Sequence, residues 1–144
     1  MEENNKQIAV VAFGGNALLP ENQQGTFAEQ QANADIAAEA ILEIVRRCYE
    51  VIIVHGNGPQ VGQILAQNEE SADKIPMMPL DCCGAASQGQ IGYMLTTAMR
   101  RATRKLGIEK NALAMLTSVV VSLEDEAFQN PTKPIGGFFT GEQA

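Results

Sequence analysis

The chain is poor in the residues that build metal sites and disulfide frameworks. Its 144 residues include no tryptophan, one histidine (His55) and three cysteines, two of them adjacent at Cys82 and Cys83. An odd cysteine count with a vicinal pair does not make a disulfide scaffold and fits reduced thiols. With one histidine and no Cys-x-x-Cys spacing, no metal site is expected. Long apolar runs are missing too, since none approaches the roughly 20 residues of a membrane span. The opening MEENNKQ lacks the basic-then-apolar layout of a secretory leader. The expected location is the cytoplasm. Basic charge is scarce: ten Lys and Arg face 17 Asp and Glu, for a net charge of −7. That excess repels a nucleic-acid backbone, so neither nucleic acid nor membrane is expected as a partner. A small anion is still admissible, because local N–H groups and one lysine can outweigh the far field. No GxxxxGK[ST] occurs, which excludes a P-loop.

What is present describes an α/β domain. Apolar residues make up 45% of the chain and charged ones 19%, an ordinary globular balance. Gln7–Phe13, QIAVVAF, is a nearly continuous apolar run ended by Gly14-Gly15 and reads as a strand buried on both faces. From Thr26 to Cys48, apolar residues at 36, 37, 40, 41, 44, 45 and 48 predict a helix with one apolar stripe and Arg46-Arg47 near its C-terminus. EVIIV, from Glu50, is a second buried strand. A helix follows from Pro59, with proline in its first turn, where the missing N–H does no harm. After a loop over 71–80, a long helix runs from Leu80 to Gly107. Its glycines at 84, 89 and 92 each cost roughly 1 kcal/mol against alanine and suggest tight packing against another backbone. Residues 112–122, ALAMLTSVVVS, predict a third strand. The order β-α-β-α-α-β calls for a parallel sheet covered by helices. At the end, TGEQA places Thr140 three residues before Gln143, the pattern of a helix-starting capping box, and no helix follows it. With three recognisable strands, this suggests part of a larger fold.

Two turns carry the chemistry. GGNAL (14–18) and HGNGP (55–59) each follow a buried strand, and in a parallel sheet both emerge at the carboxyl edge, where α/β proteins bind ligands. Glycine lets backbone N–H groups face an anion, and asparagine adds an amide donor. Either turn alone reads as a tight corner; two alike at matching positions point to anion binding. The dinucleotide alternative is weaker. Gly56, Gly58 and Gly62 make GxGxxxG, one residue longer than the fingerprint, and no acidic residue follows a second strand at the required distance. His55 reads as a structural hydrogen-bond donor. Cys82 and Cys83 read as small hydrophobes, and residues 100–105 as a solvated basic helix end. Lys133, between Pro131 and Pro134 in NPTKPIGG, is either an exposed loop lysine or a cation held in a stiff loop.

GGNALL, HGNGPQVG, MPLDCCGAASQGQIGYML and DEAFQNPTKPIG occur in one order and spacing, and through them the chain resembles the N-terminal half of the carbamate kinases, a branch of the amino-acid kinase family. Ala12 and Phe13 stand where other branches usually carry a lysine before the first glycine pair. The resemblance implies a three-layer αβα sandwich with a mainly parallel sheet, truncated here to its N-terminal lobe. It implies an acceptor-binding lobe over 1–123, the start of a protruding subdomain over 124–144, and no C-terminal nucleotide lobe. The implied reaction is ATP plus carbamate to ADP plus carbamoyl phosphate, reversibly, with Mg2+ accompanying the nucleotide. Its metal site and nucleotide pocket would lie outside this chain, which alone would be inactive, and the full-length form would be a homodimer. Gly14, Gly15, Asn16, Gly56, Asn57 and Gly58 match the family's phosphate-facing turns, and Lys133 matches the lysine that reaches the transferring group. Ser118 and Ser122 depart from the glutamine and aspartate of many relatives, and Gly137 from a frequent proline. The alternative expectation is a non-catalytic lobe that binds small anions or a partner, and after it a dinucleotide-binding module.

Overall fold

The computed structural model describes residues 7–20, 22–133 and 135. Along the chain these form β1 (Ile8–Phe13), α1 (Gly15–Leu18), α2 (Phe27–Arg46), β2 (Glu50–His55), α3 (Gly58–Glu70), α4 (Leu80–Leu106) and a 3₁₀ turn over Glu126–Phe128. The two strands pair in parallel, with Ile8 opposite Glu50 and Phe13 opposite His55. That register places the ends of β1 and β2 side by side.

Helix boundaries follow local chemistry. Thr26 caps α2 with a full capping box: its hydroxyl accepts from the Glu29 N–H, and the Glu29 carboxylate accepts from the Thr26 N–H at 2.9 Å. Gly107 ends α4 in the left-handed conformation, φ 64°, that glycine reaches without a Cβ clash. α2 and α4 pack against each other and bury Ala34, Ala38, Ile41, Leu42, Ile91, Met94, Leu95 and Ala98, with Leu18 of α1 closing one end. Fully burying a side chain such as Leu42 or Ile91 contributes about 1.5–3 kcal/mol. Asp35–Arg101 and Glu39–Lys105 ion pairs line the exposed side of this helix pair, each worth about 0–1 kcal/mol.

The face that α2 buries is rotated from the expected stripe. Gln30, Ala34, Ala38, Ile41 and Leu42 point inward, whereas Ile36 is exposed. Small alanines let α4 approach closely, and apolar periodicity alone underweights them. The strands are covered on one face rather than two. Val11, Phe13, Val51 and Ile53 meet the helices, and Ile8, Val10, Ile52 and Val54 on the other face are exposed.

The third strand expected over 112–122 does not form; among the described residues the sheet has two strands. The segment after Ile108 runs beside β2 without a ladder. A cleft of about 480 Å³ separates them, lined by β2 (Glu50–His55), by Ile41, Gly92, Leu95 and Met99, and by residues 110–115 and Thr117. Three contacts hold the segment in place. Lys110 pairs with Glu50 at 2.6 Å. The Gln88 amide accepts from the Thr117 N–H at 2.8 Å and donates to the Thr117 carbonyl at 3.1 Å, as a neighbouring strand would. Gly92 admits Ala114, whose Cβ would lie 2.7 Å from any Cβ at that position. The tight packing expected of three α4 glycines therefore holds for Gly92 alone, since a Cβ at Gly84 or Gly89 would meet nothing within 4 Å. The Thr140–Gln143 capping pattern lies outside the described residues.

Candidate anion-binding edge

The parallel register delivers both glycine-asparagine turns to one edge, as the sequence predicts. The Gly56 N–H donates to the Phe13 carbonyl at 3.2 Å, so the two turns leave adjacent strand ends. The first turn folds at once into α1, which contains Gly15 and Asn16 and is closed by the Ala17 N–H on the Gly14 carbonyl at 2.9 Å. α1 in turn packs on α2 and α3. The turn expected here is helical from Gly15 to Leu18, and it buries Leu18.

Neither Gly14 nor Gly58 is there for its backbone freedom. Neither has a positive φ, and an added Cβ at either would meet nothing within 4 Å. The chain leaves that space open, which suits close approach by a ligand. At the second turn Asn57 precedes α3, whose first residues are Gly58, Pro59 and Gln60. Val61 donates to the Asn57 carbonyl at 2.9 Å, the first bond of the helix. The N–H groups of Gly58 and Gln60 take no partner among the described residues, and the helix dipole adds roughly half a positive charge there.

Asn57 does not cap that helix. Its Nδ2 donates to the Ser87 hydroxyl of α4 at 2.7 Å, and the hydroxyl donates to the Gly84 carbonyl at 2.6 Å. The asparagine side chain, expected as an anion donor, thus has one N–H committed to α4. Ser87 was invisible as a site residue in the sequence: a serine inside a long helix carries no signal until the fold shows it buried and bonded across elements. Behind the turn, Gln60 is fully buried and donates to Gln30 at 3.0 Å, and Gln30 donates to the Gly25 carbonyl at 2.8 Å. His55 sits with Nδ1 3.2 Å from the Gly56 carbonyl, in keeping with its structural reading.

Lys133 is not brought to this edge by any contact. It is exposed, and it makes no hydrogen bond or ion pair among the described residues. Among the described residues no group of three or more His, Cys, Asp or Glu side chains converges as a metal cage would.

The geometry has counterparts in known proteins. The amino acid kinase family model matches residues 7–137. The chain belongs to the amino acid kinase family. Within it, the chain is 49% identical over 137 residues to the carbamate kinase of Pyrococcus horikoshii and 47% identical over 136 residues to that of Trichomonas vaginalis. Each match covers 94% of this chain and 44% or 43% of the relative, so the chain spans less than half the length of these curated relatives. Two solved structures of Giardia lamblia carbamate kinase, both 42% identical, superpose closely. The citric acid complex has a TM-score of 0.90 over 97% of this chain and 45% of the other, and the AMP-PNP complex 0.89 over 96% and 44%. As a member of the family the chain has the α/β fold with a parallel sheet, and the reading of GxGxxxG as a dinucleotide fingerprint is set aside. No helix among the described residues is long and apolar enough to cross a membrane.

Proposed function

We propose that this chain is the carbamate- and phosphoryl-binding half of a carbamate kinase, which transfers a phosphoryl group reversibly between ATP and carbamate. The observation that carries this reading is the paired edge: two parallel strands in register present Gly14–Asn16 beside Gly56–Gly58, with an uncapped helix start behind the second turn. Phosphoryl transfer asks for positioned donors more than covalent chemistry, and backbone N–H groups aimed at one spot supply them without reorganisation. Names of the relatives above support carbamate as acceptor and an ATP-like nucleotide as the other substrate.

The nucleotide, and the Mg2+ that accompanies it, would be held by the chain that completes the relatives, and no step of the chemistry is assigned to the metal here. Lys133 would supply a cation to the transferring group once its loop is seated against that remainder. The divisions at 1–123 and 124–144, a cytoplasmic location and a homodimeric full-length form belong to the same reading. A second reading, a lobe that binds small anions or a partner without catalysis, is favoured by the bare sheet face at Ile8, Val10, Ile52 and Val54.

An amide-resolved titration of the chain with carbamoyl phosphate tests the proposal. Shifts should concentrate at Gly14, Gly15, Gly56, Gly58 and Gln60, with no comparable response to NAD. A response to NAD alone, or shifts elsewhere, would refute it.

A further inference from the structure

The edge of β2 that faces away from β1 opens into the cleft. The Glu50 N–H donates to the Gln7 carbonyl at 2.9 Å and the Gly56 N–H to the Phe13 carbonyl at 3.2 Å, so the even-numbered residues of this stretch serve β1. Backbone groups alternate sides along a strand, which turns the N–H and C=O of Val51, Ile53 and His55 toward the cleft. None of these groups has a backbone partner among the described residues. The three residues are half-buried, where unpaired backbone groups are costly. Such an edge is a template for an added strand.

The two walls of the cleft run the same way. Lys110 meets Glu50 at the start of β2, and Gln88 holds Thr117 near its end, next in sequence to the Ser87 that bonds Asn57. Ile41, Leu95 and Met99 make the floor apolar. The chain itself carries a strand that suits this space. Residues 118–123, SVVVSL, are uncharged and rich in β-branched side chains, and Val119, Val120, Val121 and Leu123 are all exposed. With Ser118 level with Glu50, alternation sends Val119, Val121 and Leu123 to the floor, on the side of Val51 and Ile53. Ser118, Val120 and Ser122 are left on the open face. Parallel entry also carries Glu124, Asp125 and Glu126 past His55 to the start of α3, whose dipole suits acids, and away from Glu50.

This run cannot fill the cleft of its own chain. It continues directly from the wall at Thr117, and a parallel return needs a crossover of about a dozen residues or more. A tight hairpin return would need glycine, asparagine or aspartate at the turn, and residues 112–122 hold none. We propose that the cleft receives residues 118–123 of a second copy of this chain as a parallel strand on β2, so that the chain associates with itself by strand addition. The inference does not rest on the function proposed above.

Sedimentation of the whole chain over a range of concentrations, with two lysine variants, tests it. The unmodified chain should associate increasingly as concentration rises. Val121→Lys aims a charge at the floor and should lower the association constant about tenfold or more. Val120→Lys points to the open face and should leave it within about twofold, the range of surface changes. General apolar stickiness predicts the reverse order, since Val120 is 98% exposed and Val121 58%. As a second measurement, a synthetic SVVVSL peptide added to the Val121→Lys chain should shift the amide resonances of Val51, Ile53 and His55. A chain that stays monomeric throughout would overturn the proposal. So would equal effects of the two lysines, or peptide shifts confined to residues outside the cleft. Should the remainder of the Pyrococcus horikoshii relative move those amides where the peptide does not, the occupant is a strand of that remainder, and self-association through the cleft is refuted.

Discussion

From Leu18 to Ala102 the chain buries a continuous core shared by α1, α2 and α4; from Glu109 to Lys133 every residue is exposed. The second stretch is not more polar. Leu113, Met115, Leu116, Val119, Val120 and Leu123 are all exposed, Val120 at 98%, in a run as apolar as either strand. The difference lies in partners. A helix satisfies its own backbone and needs one apolar face covered, whereas a strand needs a ladder on its edge. Residues 112–115 and Thr117 face β2 across a cleft instead of a hydrogen-bond distance, and one glutamine side chain stands in for a strand. The Giardia structures overlay nearly all of this chain with less than half of their own. More chain is therefore available in such proteins to cover what is bare here.

The largest effect that could break this contrast is catalysis itself. The chain by itself should make no ATP from ADP and carbamoyl phosphate. Without a second lobe the reactants are not held in line, and such positioning can be worth roughly 7–11 kcal/mol of barrier. A coupled luciferase assay on the pure chain that gave turnover above a heat-treated control would show a complete site in this half. Next comes Lys133, which belongs to the exposed stretch but is proposed to act at the edge. In a chimera joining this chain to the remainder of the Pyrococcus horikoshii relative, Lys133→Ala should lower kcat about 10²–10³-fold, the scale for loss of one preorganised donor. KM should change less. Wild-type kcat in Lys133→Ala would leave the lysine a loop residue.

A paired substitution sharpens the comparison energetically. Leu42→Ala empties a fully buried position and should cost about 2–5 kcal/mol by denaturant unfolding. Val120→Ala should stay within about 0.5 kcal/mol, as surface changes do. Equal costs would mean that 112–122 is packed in solution.

Which features could be read in advance follows the same line. Elements that depend on local chemistry were legible: β1 and β2 from their apolar runs, α3 from Pro59, and α4 from Leu80 to its glycine stop at Gly107. The common edge of the two turns was legible too, because a parallel pair in register fixes it. What depends on a distant partner was not. The inward face of α2 is chosen by how closely α4 approaches Ala34 and Ala38, and the third strand needs an edge that β2 does not offer across the cleft. Ser87 and Gln88 act through bonds to residues about 30 positions away, with no local signature. The Thr26–Glu29 capping box stands in the sequence as T-x-x-E, a local signal of where α2 begins.

That box yields the smallest expected effect, and it lies wholly within the packed half. The Thr26 hydroxyl, donating to the Glu29 carboxylate at 2.8 Å, is the main cause that holds the Glu29 pKa below 4.5; the Thr26 backbone N–H adds to it. A carboxylate whose pKa is lowered on folding adds stability above its unfolded pKa and loses it as pH falls through the folded value. The capping contribution of Glu29 should thus be whole at neutral pH and decline from about pH 4.5 downward. Thr26→Ala, which removes both the cap and the main cause of the shift, should cost about 1 kcal/mol at pH 7. Glu29→Gln keeps a side chain that can still accept from the Thr26 N–H but does not titrate. Melting curves of the unmodified chain and Glu29→Gln should differ at pH 7 and converge toward pH 3. A difference that stayed constant across that range would mean that the Glu29 charge contributes nothing to the cap, and that the box works through neutral hydrogen bonds alone.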